Sequence, residues 1–253
     1  MSHCKRLSGK NALVTASTAG IGLAIAERLA QEGCNVFICS RRQANVDEAL
    51  TLLRGKGLPV AGCACHVGNA EHRKALVQKA VQAFGKIDFL ISNAAVNPTA
   101  APILETSADA IDRILDINVK SAVLLVAEAA PHMNDGGAVV FVTSITAFNP
   151  PFPIGMYAVS KTALLGLTKA LAAEMGPRGI RVNGVAPGIV PTKFASSLVG
   201  DPVLEQQQVE ATLLKRLGRV DDMAACVAFL VSPDASYITG ETIVVAGGIQ
   251  SRL

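Results

Sequence analysis

Short apolar runs alternate with longer segments of helical periodicity from one end of the chain to the other. Runs over 12–15, 36–40, 60–65, 89–93, 139–144, 182–186 and 242–245 have strand length and little polar alternation, which predicts strands buried on both faces. Between them, 21–32, 46–54, 70–84, 110–130, 157–175 and 221–231 have the length and periodicity of helices. Strand and helix alternating in this order is the pattern of repeated βαβ units. The expected architecture is α/β: a Rossmann-type, doubly wound, seven-stranded parallel sheet with helices on both faces, in a single domain over 1–253. The stretch 187–217 stands apart. It is long, carries Pro187, Gly188, Pro191 and Pro202, and mixes apolar with polar residues, so it predicts a loop-plus-helix lid over a cleft.

Two of the helices are apolar on more than one face, 114–130 and 161–175. One face can cover the sheet; the other predicts contact with further copies of the chain, a dimer or homotetramer, unless both faces are buried within one chain. Half of the 253 residues are apolar and the mean hydropathy is +0.39, enough to cover a buried sheet. The apolar runs 122–127 and 223–231 are far shorter than the ~18 residues of a membrane span, so no membrane insertion is expected. A net charge of +3 with basic and acidic residues interleaved forms no stripe that could follow a nucleic-acid backbone. The start of the chain, 1–11, is polar and basic without the apolar stretch of a secretory signal, and the six cysteines are expected to stay reduced. Cys63, Cys65 and His66 lie close in sequence but lack a second ligand pair at zinc-site spacing, so core cysteines and no metal are expected.

Directly after the first strand comes Thr15-Ala16-Ser17-Thr18-Ala19-Gly20-Ile21-Gly22, opening a helix. Strand, glycine turn and helix in this order suit a dinucleotide: glycines let backbone approach a pyrophosphate, and the helix start offers unpaired N–H groups. Glycine turns also serve plain strand-to-helix packing. A second constellation is Ser144 at a strand end, then Tyr157, with Lys161 one helical turn further on the same face. Bringing a tyrosine from its usual pKa of ~10 to neutrality needs roughly 4 kcal/mol, about what an ammonium ~4 Å away supplies at an effective dielectric of ~20. Spacing therefore allows Tyr157 to transfer protons near pH 7. At the end of the second strand stands Ser40-Arg41-Arg42. An acidic residue there would accept hydrogen bonds from a ribose 2′-hydroxyl, whereas Ser40 followed by Arg41 and Arg42 favours a 2′-phosphate, and hence NADP(H) over NAD(H). The alternative is two solvated charges at a helix start, a placement the helix dipole mildly disfavours.

These motifs resemble, in order and spacing over essentially the whole chain, the short-chain dehydrogenase/reductase family. The glycine turn resembles its TGxxxGxG, Asn93-Ala94-Ala95 its NAG segment and Asn118 its helix asparagine; Ser144, Tyr157, Lys161, Pro187-Gly188 and Thr192 complete the set. The resemblance implies that Ser144 holds a carbonyl oxygen and Tyr157 exchanges the proton. Lys161 would bind the nicotinamide ribose, and Asn118 would support a water relay. Cofactor contacts would come from Ala16, Ser17, Thr18, Gly20, Ile21, Gly22, Asn93, Ala94, Ala95, Pro187, Gly188, Ile189 and Thr192. A nearer similarity to the family's peroxisomal branch and its plant relatives implicated in indole-butyric acid metabolism rests on phrases such as Asn93-Ala94-Ala95-Val96-Asn97-Pro98 and the terminal Ser251-Arg252-Leu253. That terminus also resembles the address read by the peroxisomal import receptor, which predicts a peroxisomal protein.

Three departures carry expectations. Ala16 replaces the first glycine of the turn, which predicts a negative φ at that position. His66 stands where the family has an aspartate; either His66-Val67 borders the adenine or the histidine is a surface or core residue. Ala246 precedes Gly247-Gly248 where an aspartate is common, and implies nothing. A hydrolase using Ser144 lacks the glycine-flanked elbow, since its context is Val142-Thr143-Ser144-Ile145-Thr146. A catalytically idle cofactor-binding subunit is disfavoured by the presence of all four of Asn118, Ser144, Tyr157 and Lys161. The expected activity is reduction of ketones or aldehydes, or oxidation of the alcohols, with a 3-hydroxyacyl or aromatic-aldehyde step of peroxisomal β-oxidation as the alternative. Phe148, Phe152, Met156, Phe194 and Leu198 either line an apolar substrate cleft or pack the core and lid.

Overall fold

The computed structural model describes residues 5–195 and 201–251. The seven expected strands form as β1 (Asn11–Val14), β2 (Asn35–Ser40), β3 (Val60–Ala64), β4 (Ile87–Ser92), β5 (Met133–Val142), β6 (Arg181–Pro187) and β7 (Thr242–Val245). All pair in parallel, in the order β3-β2-β1-β4-β5-β6-β7. Successive residues of one strand feed two separate cores, as the twofold periodicity of a strand requires. From β1, Ala12 and Val14 point into the core closed by α1 (Gly20–Gln31), α2 (Gln43–Gly55) and α8 (Val220–Val231). Leu13 points into the opposite core, closed by α3 (Ala70–Phe84), α5 (Ser121–Ala129) and α6 (Gly155–Met175). Strand order reverses between β1 and β4, so the crevice beyond their carboxyl ends is where a doubly wound sheet places its ligand.

Three elements differ from the pattern-based expectation. β5 starts at Met133, because Met133 pairs with Ile87 before a bulge resets the ladder at Ala138 and Phe89; the intervening polar residues hide this from periodicity. The helix expected over 110–130 is α4 (Ala108–Leu115) and α5 joined by a π-turn, Asp116–Lys120, which contains Asn118. The lid region divides into a 3-10 turn, Lys193–Ala195, and α7 (Pro202–Glu210). Its far end is stitched to the segment after β7 by Leu213 and Leu214 N–H groups donating to the Gly247 carbonyl.

Buried positions of α6 include Tyr157, Lys161, Leu164, Thr168, Ala172 and Met175, one face by helical spacing. On its opposite side Val159, Ala163, Gly166, Ala170 and Ala173 form an exposed stripe of small apolar residues. Among the described residues no helix is long and apolar enough to cross a membrane. Cys34, Cys39, Cys63 and Cys65 are free thiols buried in the two cores.

Candidate active site and dinucleotide cleft

The glycine turn is clasped from two sides. The buried Ser17 hydroxyl donates to the Val14 carbonyl (2.6 Å) and accepts from the Cys39 amide (3.1 Å), fastening the turn to β2. On the other side Thr15 Oγ1 accepts from the Asn93 and Ala94 amides, while Asn93 Nδ2 donates to the Thr15 and Ala16 carbonyls, both at 3.1 Å. The expectation of a negative φ at Ala16 is corrected: φ is +49°. The chain reverses there so that the Ala16 carbonyl can meet the Asn93 amide, a left-handed conformation costing a non-glycine residue about 1–2 kcal/mol and held by these surrounding bonds. Gly22 admits no side chain, since a Cβ would stand 2.4 Å from the Ala16 carbonyl oxygen and 2.5 Å from Asn93 Nδ2. Gly20, at φ +55°, lies beneath Thr192, whose Cγ2 would be 3.3 Å from a Cβ there. This packing brings Thr192 across the cleft to the turn.

The residues fit a dinucleotide phosphate. α1 begins at Gly20 with no side-chain cap and no acidic residue in its first turn, so its orphan N–H groups and dipole are not answered by a carboxylate of its own helix. Beside it opens a cavity of about 1010 Å³ whose walls include Thr18, Arg41, His66, Val67, Ala95 and Lys120. Ser40 ends β2 on this wall. Among the described residues neither Arg41 nor Arg42 has an ion pair or side-chain hydrogen bond, and both are exposed. His66 is exposed on the wall rather than buried in the core, with Nδ1 accepting from the Gly68 amide (3.2 Å). Val67 is held by Arg73, which donates to its carbonyl at 2.6 Å and is itself buried against Glu128 of α5. On the far side Gly188 donates its N–H to Val245, and a Cβ on it would come within 2.9 Å of the Ala246 backbone.

Sequence reasoning missed Thr15 as the latch of the 93–94 segment and Arg73 as the prop of Val67. The signal for Arg73 was present: it precedes Leu76 and Val77 by three and four residues on the buried face of α3, the spacing of a charge that must find partners inside.

Ser144, Tyr157 and Lys161 come together, and none of them is part of that cavity's wall. Ser144 lies just beyond β5 and caps the 3-10 turn Ile145–Ala147. Tyr157 and Lys161 project from the buried face of α6, and Lys161 Nζ lies 5.7 Å from the centre of the Tyr157 ring. Lys161 is 2% exposed, and its ammonium donates a 2.8 Å bond to the Val142 carbonyl. Burial pushes the Tyr157 phenol up to about 12, with the Ser144 hydroxyl hydrogen-bonded to it working in the opposite direction. Burial also pulls the Lys161 ammonium down to about 7. Desolvation of the phenol thus outweighs the Ser144 bond and carries Tyr157 above its usual value, opposite in direction to the expected depression. Asn118 spends its side chain on the Val96 amide and carbonyl and on Ser160 Oγ, which in turn donates to the Tyr157 carbonyl. It ties the 93–98 segment to the tyrosine-bearing helix.

Of the expected substrate residues, the Phe194 ring lies 5.7 Å from the Tyr157 ring, while Phe148 and Met156 are half-buried near the same helix start. Phe152 is 81% exposed and Leu198 lies outside the described residues, as do Arg252 and Leu253 of the terminal tripeptide.

Residues 15–250 match a family profile described as enoyl-(acyl carrier protein) reductase. The chain is 56% identical to the short-chain dehydrogenase/reductase SDRA of Arabidopsis thaliana over 98% of both chains. It is 53% identical to the human dehydrogenase/reductase SDR family member 4 over 98% of this chain and 90% of that one. A short-chain dehydrogenase from Burkholderia cenocepacia in complex with NADP superposes with a TM-score of 0.89 at 33% identity, covering 96% of this chain and 99% of that one. A 7α-hydroxysteroid dehydrogenase complexed with NADH and 7-oxo glycochenodeoxycholic acid superposes at 0.93 with 32% identity, covering 98% and 97%.

Proposed function

This chain belongs to the short-chain dehydrogenase/reductase family, and on that footing we propose that it is an NADP(H)-dependent oxidoreductase that reduces ketones or aldehydes, or oxidises the corresponding alcohols. The observation that carries the reading is the convergence of Ser144, Tyr157 and Lys161 in a fold that also has an uncapped start to α1 and, on the cavity wall, an Arg41 with no ion pair among the described residues. NADPH supplies the hydride when bound. The 16–22 turn and the start of α1 would hold its pyrophosphate, and Ser40, Arg41 and Arg42 its 2′-phosphate. His66 and Val67 would border its adenine, Lys161 and Tyr157 its ribose, and Asn93, Ala94, Ala95, Pro187, Gly188, Ile189 and Thr192 the nicotinamide end.

The chain's own chemistry is then proton delivery and charge stabilisation. Ser144 donates a hydrogen bond to the substrate carbonyl oxygen, and the Tyr157 O–H gives its proton to that oxygen as the carbon accepts hydride, leaving phenolate. A phenol pushed up to about 12 stays protonated at neutral pH, the form that reduction requires. Lys161, held by Val142, stands close enough to stabilise the phenolate in its charged form. Phe148, Met156 and Phe194 favour an aromatic or isoprenoid carbonyl compound. The exposed apolar stripe of α6 supports a homotetramer or dimer, which light scattering showing only ~26 kDa particles would refute. The terminal Ser251-Arg252-Leu253 supports delivery to peroxisomes, and a reporter bearing this terminus that stays evenly cytosolic would count against it.

The test is NADPH consumption across a panel of aldehydes and ketones. Tyr157→Phe should retain NADPH binding and lose turnover by orders of magnitude; turnover within about threefold of wild type would overturn the mechanism.

A further inference from the structure

The Ser144 hydroxyl is more heavily engaged than polarising a carbonyl requires. Its Oγ lies 3.1 Å from the Thr146 amide nitrogen and 2.9 Å from Thr146 Oγ1. A serine hydroxyl has one proton to give and two lone pairs to fill. The amide can only donate, and among the described residues the Thr146 hydroxyl has no other hydrogen-bond partner. With both Thr146 groups donating, the lone pairs of Ser144 are filled and its single proton is left for the side of Tyr157, whose phenol it works to lower. The turn carrying Thr146 is fixed to the same helix as Tyr157. Thr162 Oγ1 on α6 bonds the Ala147 carbonyl at 2.8 Å and the Ala158 carbonyl at 3.0 Å, and Ile145 and Ala147 are buried on either side of the half-buried Thr146.

We infer that Thr146 is a positioning residue whose hydroxyl, acting through Ser144, aims and strengthens the donor that holds the substrate carbonyl oxygen. The inference rests on the reading of Ser144 and Tyr157 given above. Hydrogen bonds in a chain polarise one another, so a Ser144 oxygen that accepts twice is a better donor than one that accepts once. No proton leaves Thr146 in the reaction; its bond fixes a direction. The same geometry makes the oxidative direction sensitive, because the Ser144 proton also stabilises the Tyr157 phenolate from which alcohol oxidation starts.

The experiment uses the full chain with the best-reduced member of a panel of aromatic and aliphatic aldehydes and ketones, and with the corresponding alcohol. Thr146→Val keeps the shape and removes the hydroxyl, and kcat should fall roughly five- to tenfold, the scale of one lost hydrogen bond, while KM for the carbonyl compound changes little. The alkaline-rising limb of alcohol oxidation should move to higher pH, since the phenolate loses part of its stabilisation. Thr146→Ser restores the hydroxyl and should recover both the rate and the limb, which a merely structural role of the methyl group would not do. Wild-type kcat and an unmoved limb in Thr146→Val would overturn the inference. So would a faster rate, which would mean that Thr146 had been taking the Ser144 proton, or a Thr146→Ser variant no better than the valine one. Ser144→Ala separates the two levels: turnover retained in that variant overturns the reading of the site itself, whereas loss there with Thr146→Val unchanged overturns only the role of Thr146.

Discussion

Replacing Lys161 by methionine should make the protein more stable near neutral pH while abolishing its activity. The Lys161 ammonium is buried, has no carboxylate partner among the described residues and bonds only the Val142 carbonyl, so desolvation lowers its pKa from 10.5 to about 7. The folded pKa lies below that of the unfolded chain. Unfolding therefore takes up a proton between those two values, and stability rises with pH by up to about 1.4 kcal/mol per pH unit across the window. The penalty of burying the charge is fully present at and below pH ~7 and disappears as pH rises toward 10.5, with a ceiling of about 4–5 kcal/mol. Methionine fills similar space without charge and forfeits the bond to Val142, roughly 1 kcal/mol. Lys161→Met should thus gain about 3 kcal/mol near pH 7, shrinking toward a small deficit near pH 10. Urea unfolding followed by circular dichroism from pH 6.5 to 10, comparing the two proteins at each pH, measures this directly, because all other titrating groups cancel in the difference. A difference of the same size at every pH would refute the reasoning, whatever its sign.

Ser40→Asp combined with Arg41→Ala should lower the ratio of kcat/KM for NADPH over NADH by tenfold or more, since charge-assisted bonds to a 2′-phosphate are worth about 1.5–3 kcal/mol each; a wild-type enzyme that uses both equally well would already defeat the assignment. Gly22→Ala drives a methyl group to 2.4 Å from the Ala16 carbonyl and 2.5 Å from Asn93 Nδ2. The clasp must open at a cost of about 2–4 kcal/mol from overpacking and lost bonds, seen as a lower melting temperature and weakened NADPH binding. Arg73→Met removes the 2.6 Å bond to the Val67 carbonyl and should raise KM for NADPH about tenfold at nearly constant kcat. Equal losses with a reduced nicotinamide mononucleotide, which lacks adenine, would show instead a general disturbance of the fold.

Local pattern was enough to determine the alternation of strand and helix, the doubly wound sheet, the turn before α1 and the Tyr157–Lys161 pair, because strand burial and helical spacing are properties of neighbouring residues. The absence of a carboxylate at Ser40-Arg41-Arg42 is equally local, and so was legible. Boundaries that depend on partners were not: β5 starts at Met133 only because β4 offers Ile87 as a pair, and the π-turn at Asn118 forms where that side chain reaches across to Val96 and Ser160. The left-handed Ala16 follows from an asparagine on another strand end, and the prop beneath Val67 from an arginine and a glutamate on two helices. Charge was the property that spacing most misjudged. Two groups one turn apart on a helix look poised to stabilise each other, yet their protonation depends on how much water the rest of the fold leaves around them, and packing of the sheet and the lid around Tyr157 and Lys161 removes nearly all of it.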